Sequence, residues 1–374
     1  QITIPPAVNY ISYNAFYNCV SLVQLNSRRP IEEFKFVKPS KYKDQLLPNK
    51  IIITNNACFT NCTGLSEIII KSGSISSKAF ENCYSLKKIS ILQNVHDIGS
   101  YSFNGCKSLK EINLPQVVSN IAEYAFSNCA SLKKISIPLV KVINKYSFSF
   151  CVSLTEINLP QTVSKIDEYG FSNCVSLKKI SMPSVIEIGV YSFSFCKSLT
   201  EIELPSTVSK ISNYAFSNCV SLKKISTPSV IEIGQYSFSF CESLTEIELP
   251  STVSKIADYA FSNCESLKQI SMPSVIEIGQ YSFSFCISLK KIHFPLIKNI
   301  GSYAFIHCHS LVINEFPSSL LSIGSEAFSD CYSIKEIELN SLIQWCGPFD
   351  NCNFKIIIRP SINRFETFCN FKNI

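Results

Sequence analysis

The chain is 374 residues long, 46% hydrophobic, and carries a net charge of +6. Arg28, Arg29, Lys35, Lys38, Lys41, Lys43 and Lys50, set against Glu32, Glu33 and Asp44, hold most of that excess. The remainder is close to neutral, which argues against a binder of nucleic acid or of membrane surfaces. No apolar run approaches the ~18 residues of a membrane span, so no transmembrane segment is expected in this chain.

The chain opens inside a repeat, with IPPAVNYI leading to Ala15, Phe16 and Cys19 and no secretory signal ahead of it. It is therefore expected to be a portion of something longer, with any anchor or export signal outside it. Residues 26–50 break the pattern with RRPIEEFKFVKPSKYKDQLLPN. Two readings stand there: a degenerate rung with IEEFKFVKP as its strand, or a basic loop. The rung is preferred, because an unpaired gap would leave two sheet edges. From Ile51 to about Leu339 the array is regular, and F-x-x-C occurs fifteen times between Phe16 and Phe349.

The rule is clearest from Cys196 to Cys241, which holds two units of 23 and 22 residues. Both follow C-x-S-L-x-x-I-x-x-P, then V-x-x-I, then Y-[AS]-F-x-x-C. Ala215, Phe216, Cys219 and Leu222 recur at helical spacing and predict a short helical turn. Ile225 and Thr227 then alternate as a strand does, and Pro228 stops it, having no N–H to offer a sheet ladder. Val230 and Ile233 predict a second extended piece, with Gly234 turning the corner. Such a unit cannot bury its apolar side alone, whereas stacked copies share a continuous core. The expectation is one repeat solenoid over residues 1–352, built of short parallel β-strands plus a short helical turn per repeat. The pattern decays through LNSLIQWCGPFDNC and NFKIIIRPSINRFETFC, which predicts a degenerate C-terminal cap over residues 353–374.

The consensus C-x-S-L-x-x-I-x-[LIM]-P-x-x-V-x-x-I-x-x-Y-[AS]-F-x-x-C resembles the BspA-type, or Treponema-type, leucine-rich repeats of surface proteins in oral and gut bacteria and in mucosal protists. The resemblance covers roughly Gln1 to Cys352. It implies a right-handed leucine-rich repeat array and, from several bacterial members, adhesion to host proteins or to other microbes. It supplies no catalytic residue to carry over.

Eighteen cysteines would suggest disulfides or a metal, but from Cys62 to Cys352 they fall once per repeat. Stacked rungs lie ~4.8 Å apart with parallel side chains, while a disulfide needs Cβ atoms ~3.8 Å apart and facing each other. Cys83 through Cys331 are expected to be buried free thiols. Cys346 and Cys369 lie off the register, where a cap disulfide is open.

Charge alternates with the rungs. The strand series runs Glu67, Lys88, Glu111, Lys134, Glu156, Lys179, Glu201, Lys224 and Glu246, and a second series in the V-x-x-I segment runs Lys165, Glu187, Lys210, Glu232, Lys255 and Glu277. Like charges stacked along a ladder destabilise it, so alternation specifies register. The same strand charges, Lys179, Glu201, Lys224 and Glu246, are candidates for contact with a partner. Tyrosine stands two residues before the phenylalanine in ten consecutive rungs, from Tyr101 to Tyr303, and reads as structural stacking. Phe150, Phe195, Phe240 and Phe285 precede the cysteine in alternate rungs, where intervening rungs carry Asn128, Asn173, Asn218 and Asn263. Either these rings form a contact row for a partner or they pack between neighbouring turns.

No nucleotide, hydrolase or zinc-protease motif occurs, and the S-L and Y-S-F serines recur by repeat position instead of beside a histidine and an acid. His307 and His309 flank the inward Cys308 and point away from a common centre, so no metal and no cofactor are expected. The sequence thus predicts a non-enzymatic protein-binding scaffold, surface-displayed or secreted. Its partner would be a host, extracellular-matrix or cell-surface protein, and self-association is open. The alternative is an intracellular scaffold docking a signalling protein.

Overall fold

The computed structural model describes residues 59–70, 74–91 and 95–340, with Asn18, 343–345 and 347–349. It also describes the strands Ile2–Ile4, Tyr10–Ser12, Leu25–Ser27, Lys35–Val37, Lys50–Ile53 and Lys355–Arg359. The chain divides into two compact units, Gln1–Leu199 and Thr200–Ile374. Each is a run of parallel-stranded rungs.

Most of the described rungs contribute two strands, and in two of them an isolated bridge, at Ile75 or Glu315, takes the place of one. The first is three or four residues long with its central isoleucine inward, as in Lys134–Ser136, where Lys134 and Ser136 are exposed and Ile135 is buried. The second is a two-residue corner strand, as in Lys165–Ile166. In the first unit, Lys50–Ile53, Glu67–Ile70, Lys88–Ile91, Glu111–Asn113 and Lys134–Ser136 form one parallel sheet in sequence order. Corner strands Val142–Ile143, Lys165–Ile166 and Glu187–Ile188 pair likewise. In the second unit, Glu246–Glu248, Gln269–Ser271 and Lys291–His293 pair in order. Its corner strands run from Lys210–Ile211 through Glu232–Ile233, Lys255–Ile256 and Glu277–Ile278 to Gln344–Trp345.

Near the start, Leu25–Ser27 pairs with Ile2–Ile4, and Lys35–Val37 pairs with Tyr10–Ser12. The strand inside IEEFKFVKP therefore joins the corner series. Residues 38–49 lie outside the described residues, as do Cys346, Cys369 and the cap beyond Arg359.

The predicted helical turn is corrected: no helix occurs among the described residues. The segment from Tyr236 to Cys241 shows why. The N–H groups of Tyr236, Phe238 and Phe240 donate to the carbonyls of Asp258, Ala260 and Ser262 one rung on, at 3.1, 2.8 and 2.8 Å. Those of Ser237, Ser239 and Cys241 close local turns onto Gly234, Tyr236 and Phe238 at 3.3, 3.1 and 3.1 Å. Alternate donors cannot point along the stack while φ stays helical. Tyr236 and Phe240 accordingly take φ of 54° and 60°, and each interrupts the helical run. Gly234 serves differently from the sequence expectation: a Cβ there would lie 2.7 Å from the backbone nitrogen of Asn213 in the preceding rung, so it permits close approach, and Tyr236 carries the left-handed turn.

The core is a set of columns. Phe216, Cys219, Leu222, Val230 and Ile233 are each at most 1% exposed. The inward phenylalanines stack with ring centroids 5.6 Å apart between Phe216 and Phe238 and 5.2 Å between Phe238 and Phe261. Along the column cysteine Sγ donates to the carbonyl of the preceding rung's phenylalanine, as Cys174 does to Phe148 at 3.2 Å in the first unit and Cys241 to Phe216 at 3.3 Å. The thiols from Cys62 to Cys331 are free and buried, as the ladder spacing requires.

Candidate interaction surfaces

The exposed phenylalanines stand where the backbone is left-handed. Phe150, Phe195, Phe240 and Phe285 have φ between 59° and 61° and are 45%, 37%, 42% and 42% exposed. In other rungs the same position is held by Asn61, Asn82, Gly105, Asn128, Asn173, Asn218, Asn263, His307 or Asp330, residue types that tolerate this conformation better than phenylalanine. A bulky residue there is strained by about 1–2 kcal/mol. The asparagines that alternate with phenylalanine fold down: Asn173 Nδ2 donates to Ser172 Oγ at 2.9 Å, Ser172 Oγ meets Ser194 Oγ at 2.9 Å, and Ser194 donates to the Tyr191 carbonyl at 3.0 Å. Asn82 Nδ2 instead donates along the column to Asn61 Oδ1 at 2.9 Å. Phe195 holds the position of Asn173 one rung on. In the second unit Phe285 also lies against His307, with ring centroids 4.5 Å apart.

The tyrosines are left-handed too, but they form a stack that offsets this strain. Within the first unit Tyr124, Tyr146 and Tyr169 stack at centroid distances of 4.5 and 4.4 Å with their planes nearly parallel. They are half-buried, and burial, followed by the charge of neighbouring phenolates, pushes Tyr146 up to about 12. Their role is structural.

The two charge series behave differently. Glu156 faces Lys179 in register, and Glu201 faces Lys224, without an ion pair between them. Direct strand pairs occur at Lys88 with Glu67, 3.7 Å, and Lys134 with Glu156, 3.2 Å. The corner series closes tightly into couplets: Lys165 with Glu187 at 2.9 Å, Lys210 with Glu232 at 2.7 Å and Lys255 with Glu277 at 2.6 Å. In the second unit the strand face carries a shallow open hollow of about 460 Å³ lined in part by Glu246, Glu248, Gln269, Lys291 and His293.

Two features escaped the sequence reading. One is the left-handed column itself, signalled by the recurrence of Asn and Gly in it. The other is a set of exposed isoleucines, Ile186, Ile231 and Ile276, at 56%, 55% and 39%, hidden within V-I-E-I runs that read as buried strand. His307 Nδ1 lies 3.4 Å from Asp330 Oδ2, and no group of three or more potential metal ligands occurs among the described residues. The Y-S-F serines Ser147, Ser192, Ser237 and Ser282 are buried with no partner for Oγ, which leaves them without a base that could make them nucleophiles. No helix among the described residues is long and apolar enough to cross a membrane.

A leucine-rich repeat protein from Bacteroides ovatus is 28% identical, with a TM-score of 0.71 over 85% of this chain and 90% of its own. The pneumococcal vaccine antigen PcpA shares the fold at 21% identity and a TM-score of 0.50, over 83% of this chain and 89% of its own. A leucine rich cell surface protein from Faecalibacterium prausnitzii is 23% identical over 84% of this chain and 88% of its own, with a TM-score of 0.46. No curated protein matches the chain. The profile of the BspA type leucine rich repeat region, six copies long, matches over residues 1–74, 73–188, 164–277 and 258–374. With its Phe, Cys, Leu and Ile columns stacked rung on rung, the chain belongs to the BspA type leucine-rich repeat family.

Proposed function

We propose that the chain is a non-enzymatic, adhesin-like scaffold, displayed at a cell surface or secreted, that binds a host or cell-surface protein. The contact residues in this reading are Phe150 and Phe195 in the first unit and Phe240 and Phe285 in the second. One observation carries it: each ring is exposed and holds a strained left-handed backbone that asparagine, used in alternate rungs, adopts more easily. Strain kept at an exposed aromatic points to a use outside the fold. The strand charges Lys179, Glu201, Lys224 and Glu246 are the competing face, and the family's occurrence on surface proteins supports the location.

The test is binding of the full chain to mucosal epithelial cells and to immobilised extracellular-matrix proteins. Phe195→Asn with Phe240→Asn should abolish binding with the urea midpoint held or raised. Binding that survives in this variant and is lost in Glu201→Ala with Lys224→Ala would move the site to the strand face. A wild-type chain that binds neither cells nor matrix would sink the adhesin reading.

A further inference from the structure

Along the corner strands of the second unit the rungs alternate in two properties at once. Lys210 and Lys255 are each followed one rung on by Glu232 and Glu277. The residue just before each charge alternates in step, serine before the lysines at Ser209 and Ser254, isoleucine before the glutamates at Ile231 and Ile276. The two isoleucines are exposed although Val230 and Ile233 beside Ile231 are fully buried. Ile231 and Ile276 stand two rungs apart, ~10 Å by the strand spacing, with Ser254 between them. Ser254 is exposed, and its side chain is shorter than the isoleucines on either side.

Such a strip is complementary to itself. A two-fold axis in the plane of the face, parallel to the strands and midway between the Glu232 and Lys255 rungs, carries every glutamate rung onto a lysine rung. In a second copy placed by that axis, Glu232 meets the partner's Lys255 and Lys210 meets the partner's Glu277. The same operation sets the partner's Ile231 over Ser254, between Ile231 and Ile276. An axis centred on a rung would instead oppose Glu to Glu and Ile to Ile, so the alternation that sets register within the chain also selects one register between chains. We infer that this strip is an isologous interface at which a second copy of the chain binds antiparallel. The lysines already pair within their own chain, at 2.7 and 2.6 Å, so the charges supply orientation while the isoleucines supply buried apolar area. The first unit carries one period of the same pattern in Ser164, Lys165, Ile186 and Glu187.

Sedimentation equilibrium of the full chain over a concentration series tests this interface without touching the phenylalanines. The wild type should dimerise. Ile231→Ser with Ile276→Ser installs the residue that neighbouring rungs already carry, and should weaken the dimer at least about a hundredfold with the melting temperature unchanged. The fourfold exchange Lys210→Glu, Glu232→Lys, Lys255→Glu and Glu277→Lys preserves both couplets and alternation. The alternation it keeps is that of the second unit, since Lys210→Glu follows Glu187 in the series. That variant should dimerise with itself and reject the wild type when two differently tagged chains are mixed, a result that stands even if the serine variant misfolds. A chain monomeric at every concentration, a dimer indifferent to the serine substitutions in a folded protein, or free mixing of wild type with the exchanged chain would each overturn the inference.

Discussion

Phe240 and Asn263 hold the same left-handed position in adjacent rungs, at φ 60° and 61°, yet their side chains go opposite ways. Asn263 Nδ2 turns back to Ser262 Oγ at 2.9 Å, whereas the Phe240 ring is 42% exposed. The backbone conformation is fixed by the stack, because the N–H of each residue donates to the next rung, Phe240 to Ser262 at 2.8 Å and Asn263 to Ser284 at 2.8 Å. The side chain is therefore free to be chosen for something other than the fold.

Phe240→Asn should consequently stabilise the chain by about 1 kcal/mol, the relief of a bulky side chain from the left-handed region. The urea midpoint should rise with the slope unchanged. A loss of several kcal/mol, in the range of truncated core aromatics, would show that the ring fills space between rungs.

The corner couplets make a different prediction. Glu232 pairs with Lys210 in register at 2.7 Å, and Ile233 pairs with Ile256, which sets Lys255 on the other side of Glu232. Glu232→Lys would create three consecutive lysines, at a cost of about 1 kcal/mol at low salt that shrinks as salt is added; both partners are more than half exposed, so the ion pair itself contributes only a few tenths. Glu201→Lys, facing Lys224 without an ion pair, should cost less. A loss at Glu232 that does not respond to salt would mean packing, and not charge, is what the substitution disturbs.

The columns were legible because residue identity returns every 22 or 23 positions, and a stack converts such a period directly into neighbours. Phe216, Cys219 and Leu222 lie in the core as their spacing implies. The helical turn was misread because a run of turns closed three residues apart puts the same residues inward as a helix does. What distinguishes the two is a left-handed residue every fourth position, and Tyr236 and Phe240 give no local hint of one. Asn61, Asn82 and Gly105 in that column do, since glycine and asparagine share little else than this conformation. The exposed isoleucines were harder to see. Ile231 differs from the buried Ile233 only by facing outward at a corner two residues wide, too short for alternation to register.

Thiol chemistry follows from the cysteine column. Burial pushes Cys151 up to about 12 and holds Cys106, Cys129 and Cys174 well above the usual thiol value, so no thiolate forms near neutrality. In the native protein the thirteen cysteines from Cys62 to Cys331 should stay unmodified by a thiol reagent at pH 8, and all should react at once in denaturant without prior reduction. Mass spectrometry that found rung-to-rung disulfides would contradict both the spacing and the hydrogen bonds from Sγ to phenylalanine carbonyls.

The tyrosine stack carries a pH dependence whose direction can be worked out. Tyr146 is pushed up to about 12 by burial first and then by its neighbours Tyr169 and Tyr124, which would share phenolate charge at short range. Tyr236 and Tyr281 in the second unit are raised for the same leading reason. An unfolded tyrosine ionises near pH 10. Below that value both states are neutral and the contribution of the stack is complete; above it the unfolded chain gives up its protons first, and the advantage is lost as pH rises through the folded value. Absorbance at the phenolate band should therefore show Tyr124, Tyr146, Tyr236 and Tyr281 titrating above their denatured values, with the melting temperature falling between about pH 10 and 12. Tyr146→Phe keeps the ring and removes the proton, so it should flatten part of that fall while leaving the melting temperature at pH 7 nearly unchanged. Native tyrosines that titrate together at the ordinary value would mean that the rings are solvated singly instead of stacked.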